Sequence, residues 1–347
     1  LFLREGLAGN FRYACLSHCW GATGLKCKLV KGNKINLCQG FGIESLPNTF
    51  RDAVQICLRL SIRFLWIDAL CIVQDDINDW NQTAAAMADI YRQAYITIAA
   101  TASQNSSEGC FRSAPPGAIG QNLRNTPGLA VREMRWPDNP LRDEIFLTTD
   151  HPLLRRAWVF QERRMSPRMV HFTNTQLVWE CGRYVKGEDG AIIRKQSDQG
   201  CSQVLNADEP TSHIRAWHET LYEYTCMRLT LEQDRLPAIA AVVVEEGKRR
   251  RADTYIAGMW IGSLLDDILW RRFSDTRGII SDAGSRPKQL APSWSWASIR
   301  GPVWFNHEVP LASVQVVNFS FTHSGPPQMG GYKEASITLR GPYTNAT

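Results

Sequence analysis

Pro47–Gln74, PNTFRDAVQICLRLSIRFLWIDALCIVQ, is the stretch of the sequence that decides the fold. The apolar residues of its first half recur at the spacing of one helix face: Phe50, Ala53, Val54, Cys57 and Leu58. We expect Asn48 or Thr49 to cap this helix at its N-terminus. The short apolar run Phe64–Ile67 has the character of a strand covered on both faces. The stretch therefore predicts a helix that leads into a buried strand.

Strands and helices alternate on both sides of this stretch. Upstream, Phe11–Ser17 (FRYACLS) is predicted to be a short buried strand. Downstream, a helix is expected to begin near Asp79, after an acidic segment, because negative charge stabilises a helix N-terminus. Tyr95–Ala100 (YITIAA) is predicted to be a third strand. This order is typical of a parallel sheet with crossover helices, so the expected fold class is α/β.

The rest of the chain is predicted to continue this domain and to add a second one. Residues 103–140 are rich in Gly, Pro, Asn and Ser and predict a long excursion, after which structure resumes at Glu144–Thr148. The polar segment Lys186–Asn206 is predicted to be a loop and the domain boundary. We therefore expect a first domain over residues 1–185 and a smaller C-terminal α+β region, residues 207–347, packed on it.

The sequence pattern also places individual elements in these regions. In the first domain a structured segment is expected at Arg156–Glu162, with strands at Met169–Phe172 and Gln176–Glu180. In the C-terminal region helices are expected first and strands later, in the order His213–Leu229, Arg235–Glu246, Pro292–Ala297 and Ala312–Phe321. Trp294 and Trp296 would then alternate with serines along a strand and pack on one face.

Composition limits the class of protein. Hydrophobic residues make up 44% and charged residues 21% of the chain, which indicates a globular protein and excludes wholesale disorder. The formal charge of +5 is small for 347 residues, and no apolar run approaches the roughly 20 residues of a membrane span. The ten cysteines are too few for a disulfide scaffold and lack zinc-site spacing. We expect a cytoplasmic protein with no membrane span, no metal and no nucleic-acid partner.

Four segments of the sequence carry motifs of a known family. They are Tyr13–Gly21 (YACLSHCWG), Pro47–Gln74, Met87–Thr101 and Arg156–Phe172 (RAWVFQERRMSPRMVHF). Together they resemble the fungal heterokaryon-incompatibility (HET) domain. The resemblance implies a role in the cell death that follows fusion of incompatible cells, and a distant likeness to the Toll/interleukin-receptor (TIR) fold, a flavodoxin-like parallel sheet. Some members of that fold cleave NAD at the nicotinamide–ribose bond, and others only assemble into signalling scaffolds.

Two loops of the predicted sheet carry the polar residues of a candidate site. Ser17–Gly21 follows the first strand, and Asp68–Gln74 follows the second. Because ligands collect at the carboxyl ends of the strands in an open parallel sheet, we expect Ser17 and Asp68 to be neighbours at one edge. Hydrogen-bonding groups, aromatic rings and a glycine that permits close backbone approach could bind an NAD-like nucleotide there. These residues are Ser17, His18, Trp20, Gly21, Gln74, Trp80 and Thr83.

Two carboxylates are the candidate catalytic groups. Asp68 follows an apolar strand, where a carboxylate is costly to bury unless it is paired or used; its alternative role is to cap the next turn. Glu162 lies among arginines and is either an ion-paired structural residue or a group that stabilises the oxocarbenium-like sugar left by nicotinamide. Family members often have a glutamate where this chain has Thr83. Catalysis therefore stays open, with Asp79 as a further candidate.

There are two alternatives to the hypothesis that the protein is an effector that binds or cleaves NAD. One is a non-catalytic scaffold that oligomerises through TIR-like surfaces or recruits other cell-death proteins. The other is a thiol hydrolase with Cys71 as nucleophile and His18 as base, although such a cysteine is more often a small core residue. His171 is expected to be a hydrogen-bonded core histidine. The sequence contains neither the G-x-x-x-x-G-K-[ST] phosphate loop nor the G-x-G-x-x-G dinucleotide-binding motif, which disfavours an ATPase or an ordinary dehydrogenase. No required cofactor is expected.

Overall fold

The structure, a computed structural model, describes residues 1–6, 9–113, 115, 121–122, 130–131, 151–190, 192–195, 212–250, 253–272, 285–287, 290–307 and 313–342. Most of the predicted excursion and all of Glu144–Thr148 lie outside the described residues. The chain divides into two compact units, the first made of residues 1–155 and 162–196 and the second of residues 156–161 and 197–347. The domain boundaries expected from the sequence stay a prediction.

A seven-stranded sheet forms the centre of the first unit. Its strands are β1 (Tyr13–Ser17), β2 (Phe64–Ile67), β3 (Ile96–Ala99), β4 (Arg168–Phe172), β5 (Leu177–Cys181), β6 (Tyr184–Gly187) and β7 (Ile192–Lys195), in the spatial order β2-β1-β3-β4-β5-β6-β7. The first four strands of that order run parallel, and the last three pair antiparallel. The fold is therefore mixed α/β, and the parallel sheet expected from the sequence is one part of it.

Helices connect the parallel strands. They are α1 (Lys34–Gln39), α2 (Asn48–Arg59), α3 (Asp68–Cys71), α4 (Ile77–Gln93) and α5 (Ala157–Met165). The buried face of α2 carries Phe50 and Ala53, which join Leu16 of β1 and Ile98 of β3 in one core cluster. Burying an isoleucine, leucine or phenylalanine side chain of this kind contributes about 1.5–3 kcal/mol to stability. The predicted helical spacing is confirmed at Phe50, Ala53 and Cys57, which are buried, whereas Val54 is half-buried and Leu58 is exposed.

The beginnings of α2 and α4 correct two details. The predicted cap of α2 is wrong, since the helix begins at Asn48 itself and its N-cap, Pro47, offers no side-chain acceptor. Thr49 is buried, and its hydroxyl accepts a hydrogen bond from the Gly109 N–H instead. Helix α4 begins at Ile77, two residues before the expected start, because the Asp76 carboxylate accepts hydrogen bonds from the N–H groups of Asn78 and Asp79.

The burial of the strands follows their position in the sheet. All of β3 and all but the first residue of β1 are buried, as expected for strands with neighbours on both sides. The expectation that Phe64–Ile67 is covered on both faces holds only for Ile67, because β2 is the edge strand and its other three residues are half-buried. The expected loop beginning at Lys186 is also wrong at residues 186–187 and 192–195, because β6 and β7 pair there as antiparallel strands.

The second unit is built from short helices and antiparallel strand pairs. Its elements are α6 (Ser212–Thr225), α7 (Ala240–Arg249), α8 (Leu264–Asp267), β8 (Tyr255–Ile256), β9 (Met259–Trp260), β10 (Trp270–Arg272), β11 (Val303–Phe305), β12 (Gln315–His323) and β13 (Tyr332–Arg340). Strands pair as β8 with β9, β10 with β11 and β12 with β13. In this unit Asp267 is completely buried and accepts hydrogen bonds from His218 Nε2 and the Trp260 N–H, both at 2.8 Å.

The predicted strand at Pro292–Ala297 is wrong. Trp296–Ser298 forms a turn of 3-10 helix, and the Ser295 hydroxyl accepts a hydrogen bond from the Ala297 N–H at its start. Trp296 is completely buried, and its indole N–H donates to the Gly258 carbonyl at 2.7 Å. The alternation of tryptophan and serine therefore comes from a turn that buries one indole.

Helix length and polarity also bear on membrane insertion. In the described part of the chain, no helix has the length and apolar character needed to cross a bilayer.

Candidate functional site

The carboxyl ends of β1 and β2 lie side by side at one edge of the parallel strands. Ser17 is the last residue of β1, and Asp68 directly follows β2, which pairs with β1. The indole N–H of Trp20 donates to Asp68 Oδ2 at 2.9 Å, and His18 Nδ1 lies 3.5 Å from Asp68 Oδ1. The structure thus brings together the two loops that the sequence singled out, despite the many residues between them.

Glu162 reaches the same edge from α5. The Ser17 hydroxyl donates to Glu162 Oε2 at 2.5 Å, and Tyr91 of α4 lies beside this carboxylate. Burial raises the pKa of Tyr91 well above its usual value, and the neighbouring Glu162 carboxylate raises it further. Glu162 is only 6% exposed, and Ser17 and Tyr91 are almost completely buried. These three residues form a closed polar cluster within an apolar core.

Asp68 is the member of this edge that solvent reaches. Its side chain is 24% exposed, and its Oδ1 accepts a hydrogen bond from the Ala69 N–H at 2.7 Å. Asp68 therefore holds the first turn of α3, which was the alternative role expected from the sequence. The Gln74 side chain donates to the backbone carbonyls of Asp68 and Ile72, both at 3.0 Å, so its amide fixes its own loop.

Three further residues expected in the site, Gly21, Trp80 and Thr83, lie on the loop after β1 and on α4. Gly21 has a φ of +86°, and a Cβ placed there would lie 2.8 Å from Asn105 Cβ, so the protein itself fills the space expected for a ligand. Trp80 and Thr83 lie on the first turns of α4, and both are half-buried. Thr83 makes no hydrogen bond to the cluster among the residues that the structure describes.

Asp79, the further catalytic candidate, has a structural contact. Its Oδ2 accepts a hydrogen bond from the Val73 N–H at 2.7 Å, which joins the start of α4 to the loop after α3. This carboxylate is therefore held against the backbone of that loop.

A second buried network lies on β4 and β5. His171 Nδ1 is 3.0 Å from the Thr101 hydroxyl, and His171 Nε2 is 3.0 Å from Glu180 Oε2. Arg163 Nε donates to both oxygens of Glu180, at 3.1 and 2.8 Å. Burial acts to raise the pKa of Glu180, but Arg163 and His171 together hold it well below its usual range. His171 is thus the hydrogen-bonded core histidine that the sequence predicts.

Sequence reasoning missed Tyr91 as a polar partner and Glu180 as the centre of a network. Tyr91 lies on the buried face of α4, and a buried tyrosine hydroxyl usually needs an acceptor, so a signal for it was present. Glu180 and Arg163 lie on separate elements and give no such signal. In the described ranges, no group of three or more His, Cys, Asp or Glu residues is placed to hold a metal ion.

Cys71 offers a direct test of the thiol-hydrolase hypothesis. Burial, with a smaller contribution from Asp68, raises the pKa of Cys71 to about 11 from an ordinary 9.0. Since only the thiolate reacts, we expect iodoacetamide to alkylate Cys71 roughly 100 times more slowly than an unperturbed cysteine at neutral pH. Mass spectrometry of the alkylated peptides measures this rate in the folded protein.

Cys181 is the internal control for this experiment. Partial burial acts to raise its pKa, but backbone N–H groups of Arg183 and Tyr184 lower it overall. Cys181 should therefore be alkylated well before Cys71. Equal rates at the two positions would contradict the raised pKa and restore Cys71 as a candidate nucleophile.

The comparisons with known proteins cover the segment that carries this site. Residues 13–162 match the family model described as heterokaryon incompatibility protein (HET). That range begins with β1 and ends at Glu162, so both partners of the Ser17–Glu162 hydrogen bond lie inside it. Neither a curated protein nor a solved structure matches the chain. The resemblance found in the sequence is thereby confirmed at the level of the HET family.

Proposed function

We propose, on the premise that residues 13–162 belong to the heterokaryon incompatibility family, that this chain is a cell-death effector that binds an NAD-like nucleotide. The observation that carries the proposal is the Ser17–Glu162 hydrogen bond at the carboxyl edge of the parallel strands. The partly exposed Asp68 and Trp20 lie at the same edge of the sheet.

The strand order supports a nucleotide at this edge. The parallel strands follow the order β2-β1-β3-β4, which is that of flavodoxin-like sheets. In such sheets the order reverses between β1 and β3, and nucleotides bind outside the carboxyl ends of the strands at that point. Ser17 ends β1, so it lies at the reversal. A TIR/flavodoxin-like fold is the finer classification that we propose for the first unit.

The two carboxylates fit hydrolysis of the nicotinamide–ribose bond. As that bond breaks, its electron pair goes to the pyridinium nitrogen, and neutral nicotinamide leaves an oxocarbenium-like ribose. A carboxylate such as Glu162 or Asp68 stabilises this positive charge. A water oxygen then bonds to the ribose carbon and releases a proton, which gives ADP-ribose. Ser17 would position Glu162, since its hydroxyl donates to the carboxylate.

The burial of the cluster favours a second function that needs no substrate access. Ser17, His18 and Glu162 are each at most 6% exposed, so a nucleotide would reach them only after local opening. If the cluster stays closed, it is a structural centre and the chain acts as a scaffold that assembles with copies of itself or with other cell-death proteins. Turnover of NAD distinguishes these two functions.

The proposed activity predicts a large effect of a single substitution. We expect the purified full chain at high concentration to release nicotinamide from NAD, as followed by liquid chromatography. Glu162→Gln should reduce the rate about 100-fold or more, because an amide cannot stabilise the cationic sugar. The amide oxygen still accepts the hydrogen bond from Ser17, so the substitution tests the charge more than the fold.

A matched variant controls for the loss of a carboxylate elsewhere. Asp89→Asn on α4 makes the same chemical change on a side chain that is 65% exposed and pairs with Arg92 on the surface. It should leave nicotinamide release unchanged. Absence of release from the unmodified chain, tested in an assembled state, would remove the catalytic proposal and leave the scaffold. A rate unchanged in Glu162→Gln would assign catalysis to another group.

A further inference from the structure

A cavity separate from the polar cluster lies beside the edge strand of the first unit. It measures about 630 Å³, within the range of roughly 300–1,000 Å³ that small-molecule sites occupy. Its walls come from residues 1–4 and 9–11, from α2, from β2 and from the end of α3. The first of these walls is fixed in place, since the Leu3 N–H donates to the Leu37 carbonyl and the Phe41 N–H donates to the Leu1 carbonyl.

The walls of this cavity are mostly apolar. Representative lining residues are Val54, Ile62, Leu65, Ile67 and Leu70. Two cysteines also line it, and burial raises the pKa of both Cys57 and Cys71 to about 11, so both thiols stay neutral at pH 7. Such walls suit a long hydrocarbon chain, which gains free energy as it leaves water.

The charged groups of the cavity have one sign. Arg4 and Arg63 are among its lining residues, and none of the described residues that line it is an aspartate or glutamate. Each guanidinium stacks near an aromatic ring, Arg4 over Phe2 at 5.4 Å and Arg63 over Phe64 at 5.8 Å. Neither forms an ion pair with a carboxylate in the part of the chain that the structure describes. No carboxylate of the described residues therefore competes for these two guanidinium groups, and a guanidinium is well matched to a carboxylate.

Exposed apolar side chains surround the opening. Leu58 is 70% exposed, and Phe2 is 59% exposed, although both line the cavity. Large exposed apolar residues that cluster in this way usually mark a surface that something covers. An amphipathic ligand would cover them with the part of its chain that extends out of the cavity.

From these features we propose that the cavity binds a long-chain carboxylate, with its hydrocarbon among the apolar walls and its carboxylate at Arg4 and Arg63. The neutral apolar walls suit the hydrocarbon, and the two cations suit the carboxylate. This site is independent of the proposed nucleotide site, so the failure of either one leaves the other untouched.

Fluorescence titration tests the proposal with the full chain. The probe is cis-parinaric acid, a fluorescent long-chain carboxylate, used below the concentration at which it forms micelles. We expect a saturable rise in emission that corresponds to one site per chain. Oleate should displace the probe, while oleyl alcohol and oleylamine should be at least about 10-fold weaker competitors, because they lack the charge that arginine binds. Binding that does not saturate, or equal competition by the amine, would overturn the proposal.

Two pairs of variants test where the ligand binds. All four substituted positions are exposed, so the substitutions should not disturb the fold. Leu58→Glu places a negative charge at the opening and should weaken probe binding about 10-fold, whereas Leu60→Glu, two residues further on and outside the lining, should not. Arg63→Gln should weaken oleate competition about 10-fold and leave oleyl alcohol unchanged, whereas Arg59→Gln should alter neither. Equal effects within each pair would show that the cavity is not the binding site.

Discussion

Replacing Glu180 by alanine is expected to lower the free energy of unfolding by about 3–5 kcal/mol, the usual cost of breaking a buried ion pair by removing one partner. The carboxylate accepts two hydrogen bonds from Arg163 and lies 3.0 Å from His171 Nε2. Without it, a guanidinium with a side chain only 13% exposed loses its carboxylate partner. Urea unfolding followed by circular dichroism at pH 7 measures the loss.

The same carboxylate predicts how stability depends on pH. The pKa of Glu180 lies well below its ordinary value of 4.5 in the folded protein, so protons bind the unfolded chain more readily. The stabilising effect of Glu180 is therefore fully present above about pH 5 and is lost progressively as the pH falls below 4.5 toward the folded-state pKa. Unfolding curves of Glu180→Gln should lack this part of the acid sensitivity.

Asp89→Ala is a suitable control for both measurements, because this exposed carboxylate pairs with Arg92 on the surface of α4. It should leave stability at pH 7 and its acid dependence nearly as they are in the unmodified chain. If Glu180→Ala were as mild as this control, the buried network would not stabilise the sheet.

Asp267→Ala in the second unit is expected to be comparably severe, at about 3–5 kcal/mol. Asp267 is completely buried and accepts hydrogen bonds from His218, from the Trp260 N–H and from the Ser263 hydroxyl. Removing the carboxylate leaves all three donors buried without their acceptor, and each such group costs about 1–3 kcal/mol. Differential scanning calorimetry of the full chain measures the shift.

Two further substitutions, one at Asp267 and one at its neighbour, serve as controls for the stability loss of Asp267→Ala. Asp267→Asn keeps one acceptor oxygen and should lose less stability than the alanine variant. Asp266→Ala changes the adjacent residue of α8, which is half-buried, and should have a small effect. A loss below 1 kcal/mol in Asp267→Ala would contradict the role assigned to these hydrogen bonds.

The sequence predicted the parts of the fold that depend on local pattern. The apolar spacing in Pro47–Gln74 placed α2 and β2, because Phe50, Ala53 and Cys57 share one buried helix face and Phe64–Ile67 is a continuous apolar run. The tryptophan–serine alternation after Pro292 failed, because Ser295 donates to the Ala257 carbonyl and accepts from Ala297 to form a turn. No local pattern reports such a contact.

The candidate site shows the same limit. The nearness of Ser17 and Asp68 could be predicted, since the rule for carboxyl ends of parallel strands requires only that both strands exist. The hydrogen bond from Ser17 to Glu162 could not, because it depends on where α5 returns to the sheet. The sequence also could not show that Asn105 would fill the space beside Gly21.

The residues of the site lie far apart in the chain, and these separations determine the order in which their contacts can form. Trp20 and Asp68 are 48 residues apart, whereas Ser17 and Glu162 are 145 residues apart. Closing the longer loop costs only about 1 kcal/mol more, yet contacts between distant residues slow folding. A nascent chain can therefore join its first two strands early in synthesis, and the Ser17 hydroxyl gains its carboxylate acceptor only after α5 has emerged from the ribosome.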